Sequence, residues 1–240
     1  MWDDHKSSCS VFLSKELADT TKTHGQESQE VVESMMDLAN VFILQCRYPE
    51  AEKILREAEP IAQKVFEQKD PHVAVILHNI GGVLLDEDRI KEAVDCFQTS
   101  LDMLLARYGS ESVEVASNLV CMGNILVLRG DYVWAQEPFQ EALRLYQTEQ
   151  HKFPGDVDRL ARIANCLSCL GGVDMKMGNV ESAVEKYTGA LAIREDLPNG
   201  CPEEQGCKLM YMVDLHVAQS KLVEALVDIE KALPILRSVH

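Results

Sequence analysis

The chain has 240 residues, and its 23 Lys plus Arg against 39 Asp plus Glu give a formal charge of −16 with no segment where basic residues gather, which argues against nucleic acid or an anionic membrane surface as a partner. Its 46% hydrophobic and 26% charged content suits a folded chain with one or two cores, and no stretch approaches the roughly 18 uninterrupted apolar residues of a membrane helix. The eight cysteines are scattered, and Met1-Trp2-Asp3-Asp4-His5-Lys6 holds no apolar leader, so the thiols are expected to be reduced and the location cytoplasmic.

One phrase recurs along the chain: a helix with a small residue at its middle, a turn, then Ala, an apolar or aromatic residue four later and a small one three after that. The key Ala falls at Ala51, Ala93, Ala135, Ala183 and Ala225, at spacings of 42, 42, 48 and 42. Counting back 42 from Ala51 reaches Cys9, followed at helical spacing by Leu13 and Leu17, so residues 1–26 are predicted to be a leading second helix.

The repeat over 27–70 then carries Ala39 on its first helix and Ala51, Leu55 and Ala58 on its second. Repeat 71–112 opens at Asp70-Pro71-His72, a turn with N-cap chemistry, and places Gly81 opposite Ala93, Phe97 and Ser100. Repeat 113–156 follows Gly109-Ser110-Glu111-Ser112 and sets Gly123 before the turn Arg129-Gly130-Asp131-Tyr132, then Ala135, Phe139 and Ala142. Pro138 lies near the start of that second helix, where a missing N–H costs least, and predicts a mild kink. The six extra residues before the next key Ala predict a longer loop from about Thr148 to Asp156, through Phe153-Pro154-Gly155. Repeat 157–204 has Gly171, the turn Met177-Gly178-Asn179-Val180, and Ala183, Tyr187 and Ala190. Repeat 205–240 has Val213, then Ala225, Ile229 and Ala232.

Small residues on each first helix allow its partner to cross closely. The expected fold is therefore all-α: a right-handed α-solenoid of tandem antiparallel helix pairs, one array over 1–240 with five hairpins after the leading helix and the first helices lining a concave surface.

The segments Arg47-Tyr48-Pro49-Glu50-Ala51-Glu52, Asp70-Pro71-His72-Val73-Ala74 through Asn79-Ile80-Gly81, and Gly130-Asp131-Tyr132 through Pro138-Phe139-Gln140-Glu141-Ala142-Leu143 resemble tetratricopeptide repeats, and the repeat length is similar to that of the kinesin light chain type. The resemblance spans nearly the whole chain and implies a tetratricopeptide-like superhelix that serves as a protein-binding scaffold. Repeats of that type usually carry Asn fifteen residues before the key Ala, where this chain has Met36, His78, Val120, Ser168 and Met210. Co-chaperone repeats of the same fold grip a carboxylate with inward Lys, Arg and Asn. Here Asn40, Asn124, Asn165 and the lone Lys176 face Glu33, Asp86 and Asp214, so a carboxylate clamp is not expected.

The residues offer little chemistry. Cys166-Leu167-Ser168-Cys169 is the only Cys-x-x-Cys; Cys201 and Cys207 lie a loop away without completing a zinc spacing, and small packing thiols are the expected reading. The seven histidines show no metal-binding pair. Gly81-Gly82 and Gly171-Gly172 neither follow a strand nor open a helix with Lys-Ser or Lys-Thr; the second Gly of each pair leaves room for a ligand backbone. Neither a catalytic residue, a metal nor a cofactor is expected, and the chain is read as non-enzymatic.

Function is expected from the inner surface. A partner peptide or helix lying there would meet Asn40, His78, Asn124, Asn165, Ser168 and Lys176 for polar register and Ile43, Leu85, Val127 and Met175 for apolar anchoring. A second reading is assembly: Leu222, Leu226, Ile229, Leu233 and Leu236 on the final helix have no capping helix after them, which predicts self-association or packing on a longer chain. A third is a metal or redox protein using Cys166, Cys169, Cys201 and Cys207.

Overall fold

The computed structural model describes residues 2–67, 70–196 and 202–239, with side chains throughout these except at 2–9, 196, 202–208 and 235–239. The described residues form eleven α-helices and no strand. They fall into two compact units, Met1–Ser110 and Glu111–His240. The first unit holds α1 (Trp2–His24), α2 (Gln29–Leu44), α3 (Tyr48–Val65), α4 (Pro71–Asp86) and α5 (Ile90–Tyr108). The second holds a 3-10 turn (Val113–Val115), α6 (Ala116–Leu128), α7 (Tyr132–Lys152), α8 (Val157–Lys176), α9 (Val180–Asp196), α10 (Pro202–Ala218) and α11 (Leu222–Val239). In each unit consecutive helices pack as hairpins: α2 on α3 and α4 on α5 in the first, α6 on α7, α8 on α9 and α10 on α11 in the second.

Helix starts follow the capping chemistry of the sequence. Ser28 accepts a hydrogen bond from the Val31 amide, Asp70 from that of His72 and Asp156 from that of Arg159, each filling an orphan donor of the first turn. Helix ends inside the hairpins share one solution. The residue five before the key Ala is left-handed in all five repeats: Cys46, Asp88, Gly130, Gly178 and Ser220, with φ of 54°, 61°, 80°, 82° and 58°. The next amide reaches back five residues, from Arg47 to Phe42 O, Arg89 to Leu84 O, Asp131 to Leu126 O, Asn179 to Asp174 O and Lys221 to His216 O, all at 2.8 Å.

Two of these turns use glycine, for which the conformation is free; three do not. A left-handed L-residue costs about 1–2 kcal/mol, part of which glycine's larger unfolded-state entropy cancels. Ser220→Gly is therefore expected to stabilise the protein by about 0.5–1 kcal/mol, with Asp88→Gly gaining less because Asp tolerates this region. Urea midpoints at an unchanged slope measure both, and a lower midpoint for Ser220→Gly would contradict the strain argument.

The core is built where each second helix crosses its first. A Cβ placed on Gly81 would lie 3.0 Å from the Phe97 ring, on Gly123 2.7 Å from Phe139, and on Gly171 3.0 Å from Tyr187. Where the second helix offers only Leu55 or Ile229, the first helix has Ala39 or Val213 instead. The two sides of the crossing thus compensate in size, and Phe97, Phe139, Leu55, Ala39 and the key Ala51, Ala93, Ala135 and Ala183 are all fully buried.

The six extra residues do not make a longer loop. The link from α7 to α8 has four residues, 153–156, like the link from α5 to the 3-10 turn over 109–112. Relative to the key Ala, α7 runs two residues further than α5 and α8 begins four residues earlier than α4, and 2 + 4 accounts for the insertion. Helix propagation adds one hydrogen bond per residue, and Asp156 supplies the cap that lets α8 start early.

Candidate functional site

In the first unit, the first-helix face is carried by α2 and α4. Asn40 is exposed and Asn79 extends its amide toward the Asn40 carbonyl oxygen at 3.5 Å. His78 is half-buried and stands edge-on to the Phe97 ring, with centroids 5.3 Å apart, so its ring belongs to the hairpin crossing as well as to this face. Ile43 and Leu85 are half-buried. A Cβ on Gly82 would meet nothing within 4 Å. Burial pushes the Asp86 carboxyl above its usual range, and the Tyr48 hydroxyl hydrogen-bonded to it offsets part of that shift.

In the second unit α8 lies beside both α6 and α10, so three successive first helices share a face. The Cys169 thiol contacts the Asn124 side-chain oxygen at 3.9 Å, joining α6 to α8. Asp214 on α10 lies near enough to Cys169 and to the Tyr187 phenol to raise the pKa of both, after burial, which is the larger cause for each; the Cys169 thiol reaches about 11. Burial also raises the Asp214 carboxyl itself. On the same helix as Cys169, a Cβ on Gly172 would meet only the Tyr187 hydroxyl, at 3.6 Å. Asn124, Cys169 and Asp214 thus form a polar line across α6, α8 and α10, with an open step at Gly172.

The other expected contacts divide. Ser168 is half-buried and Lys176 exposed on the same helix. Val127 packs against the cluster of Ala135, Phe139, Leu170 and Val173, and Met175 against Ala183, Tyr187 and Ala218, so both apolar anchors are partly used by the core. Asn165 is exposed, but its side-chain oxygen is engaged: it accepts from Arg194 at 3.0 Å and from the Tyr211 hydroxyl, while the Arg194 guanidinium lies 5.8 Å from the Tyr211 ring centroid. It therefore ties α8 to α9 and α10.

Asp214 was legible only as a charge unsuited to gripping a carboxylate. The signal for its place was the repeat frame: eleven residues before each key Ala stand Asn40, Gly82, Asn124, Gly172 and Asp214, polar and glycine positions in alternation. A separate cleft of about 280 Å³ beside the α8 start also escaped the sequence reading. It holds Ser117, Tyr146, Arg159 and Arg162 but equally Glu114, Asp156 and Asp158, and Arg159 is already paired with Asp156 at 3.1 Å.

The thiols of Cys121 and Cys166 are pushed by burial to about 12, so both stay protonated and unreactive at neutral pH. Among the described residues no group of His, Cys, Asp and Glu is placed to hold a metal ion, and Cys201 and Cys207 lie outside the described residues and side chains. None of the described helices is long and apolar enough to cross a membrane.

Residues 72–148 match the tetratricopeptide repeat family. A TPR repeat-containing protein of Dictyostelium discoideum is 28% identical over 114 residues, which is 47% of this chain and 7% of that protein's length. Among solved structures, BtubC (BKLC) from P. vanneervenii matches with a TM-score of 0.70 at 20% identity, covering 98% of this chain and 91% of that one. A Podosopora anserina putative kinesin light chain with nearly identical TPR-like repeats matches at 0.56 and 17% identity, over 87% and 92%. NprR in complex with its cognate peptide NprX matches at 0.62 and 18% identity, over 94% of this chain and 60% of NprR. These structural likenesses establish the fold. Residues 72–148 thus match tetratricopeptide repeats, and the fold of the chain is similar to that of repeat structures that include a putative kinesin light chain.

Proposed function

We propose that this protein is a non-catalytic interaction scaffold whose first-helix faces hold an extended segment of a partner protein. The observation that carries the reading is the polar line of Asn124, Cys169 and Asp214 with its open step at Gly172. An amide side chain donates and accepts at once, as a peptide bond does, and a missing Cβ admits a backbone. NprR, which shares the fold, was solved with a peptide bound. In the first unit Asn40 and Asn79 with the open Gly82 repeat the theme.

The test is affinity capture with the whole chain as bait beside Asn124→Ala and Asn40→Ala variants, followed by titration of a captured partner. Each lost amide contact is expected to weaken binding to its own unit by about 1 kcal/mol, roughly fivefold. Asn165 is left intact, because its loss would disturb α8, α9 and α10. Partners that bind both variants as tightly as the parent would remove the first-helix faces from the function. That result would favour the second reading, assembly through α11, where Leu222, Val223 and Leu226 are 64%, 73% and 60% exposed. Sedimentation equilibrium reads that alternative directly, and a monomer at the highest soluble concentration would eliminate self-association.

A further inference from the structure

We infer that the first-helix face of the second unit selects an extended partner segment bearing a Lys or Arg side chain, with Asp214 as the counter-charge. The inference rests on the scaffold reading above and gives the occupant its chemistry. Asp214 is half-buried on α10 and lies near the Cys169 thiol and the Tyr187 phenol, neither of which carries positive charge. Among the described residues no cation pairs with it, whereas the buried Asp174 and Asp228 of the same unit are each met by a basic side chain. A half-buried carboxylate that no described cation meets is held at a cost, and an arriving ammonium or guanidinium relieves it in surroundings less screened than bulk water.

Other features of the face agree. Gly172 leaves space at the step before Asp214, so a backbone can approach while its side chain turns toward α10. The Tyr187 hydroxyl borders that space and can accept a hydrogen bond from the incoming group. Asn124 from α6 and Asp214 from α10 both approach Cys169 on α8, so one short extended segment crossing the three helices can meet all of them. The chain as a whole, at −16, draws basic segments toward it, and Asp214 gives that attraction a fixed position.

The test is selection of random peptides of about a dozen residues by the whole chain, followed by titration of the best binder. The selected sequences are expected to share one Lys or Arg position. Asp214→Asn should weaken the basic peptide about tenfold or more, and should leave unchanged a peptide in which that residue is Gln. Glu181→Gln, which removes the same charge from an exposed site on α9, should have no such effect and so separates Asp214 from net charge. Peptides that depend on Asn124 but show no basic preference, or lose equally with Glu181→Gln, would overturn the role of Asp214 and leave the scaffold reading standing. If selection yields no peptide sensitive to Asn124→Ala, the scaffold reading and this inference fall together. Circular dichroism of Asp214→Asn must match the parent; an altered spectrum would show instead that Asp214 is a structural group and would also overturn the proposal.

Discussion

Gly123→Ala is expected to destabilise the protein by about 2 kcal/mol in the native chain, yet to become neutral or stabilising by up to about 1 kcal/mol once Phe139 is replaced by Leu. Two effects oppose each other. Ala is the better helix former by about 1 kcal/mol, which alone would favour the change. Against it, the new Cβ would lie 2.7 Å from the edge of the Phe139 ring, closer than non-bonded carbons approach. The ring cannot easily yield: it is fully buried and packed with Ala135, Leu170 and Val173. Overpacking of about 1–3 kcal/mol therefore wins, at its upper end. Leu at 139 reproduces the Ala39–Leu55 pairing found in the first hairpin, where Cβ and side chain coexist. A double-mutant cycle read by urea unfolding should show a coupling of about 3 kcal/mol. Additive changes would mean that the small residue and the ring are not matched to each other.

That matching is why so much of the fold could be read from residues alone. Gly81, Gly123 and Gly171 recur with their aromatic partners because a close helix crossing tolerates few combinations of size. The turns were only partly legible. Gly130 and Gly178 announce a left-handed residue, whereas Cys46, Asp88 and Ser220 adopt it because the reaching-back hydrogen bond and the following helix require it. The misjudged loop over 148–156 has a similar origin: a six-residue insertion reads as loop when it contains Pro154-Gly155, but the flanking sequences lengthen both helices instead. Individual roles on the first-helix face were harder still. Phase placed Asn124 and Asn165 alike, and only the long-range contacts of Arg194 and Tyr211 show that the side-chain oxygen of the exposed Asn165 is already engaged. Asp214 needed the reverse correction, since its meaning lies in the lack of a described counter-charge, which no local pattern displays.

Replacing Asp174 by Leu is expected to cost about 3 kcal/mol, while the double change Asp174→Leu with Lys186→Leu returns the protein to within about 1 kcal/mol of its parent. Asp174 is 3% exposed and accepts from Lys186 at 2.5 Å, Ser182 at 2.7 Å and Gln136 at 3.1 Å, tying α7, α8 and α9 together. Burial would raise its pKa, but the bonds from Lys186 and Ser182 outweigh burial and hold the carboxyl below the usual range. Removing it alone strands a Lys186 ammonium that is only 25% exposed, which is the costly step. The repeat frame supplies the reason why removing both is tolerable. The same two positions hold Phe42 and Ile54, Leu84 and Cys96, and Leu126 and Pro138 in the first three hairpins, then Asp174 and Lys186, and finally His216 and Asp228 with the polarity reversed. His216 meets Asp228 at 2.8 Å, so the last two hairpins place a polar pair at positions where the sequence of the first three has apolar residues. Sign and window follow from the depressed carboxyl: its contribution is complete above the ordinary aspartate pKa of about 4 and is lost as pH falls through the lower folded value. Urea midpoints taken from pH 7 downward should therefore show parent and double variant diverging only below about pH 4, with the parent losing more. A single Asp174→Leu variant as stable as the parent would show that the Asp174–Lys186 pair does not hold the fourth hairpin.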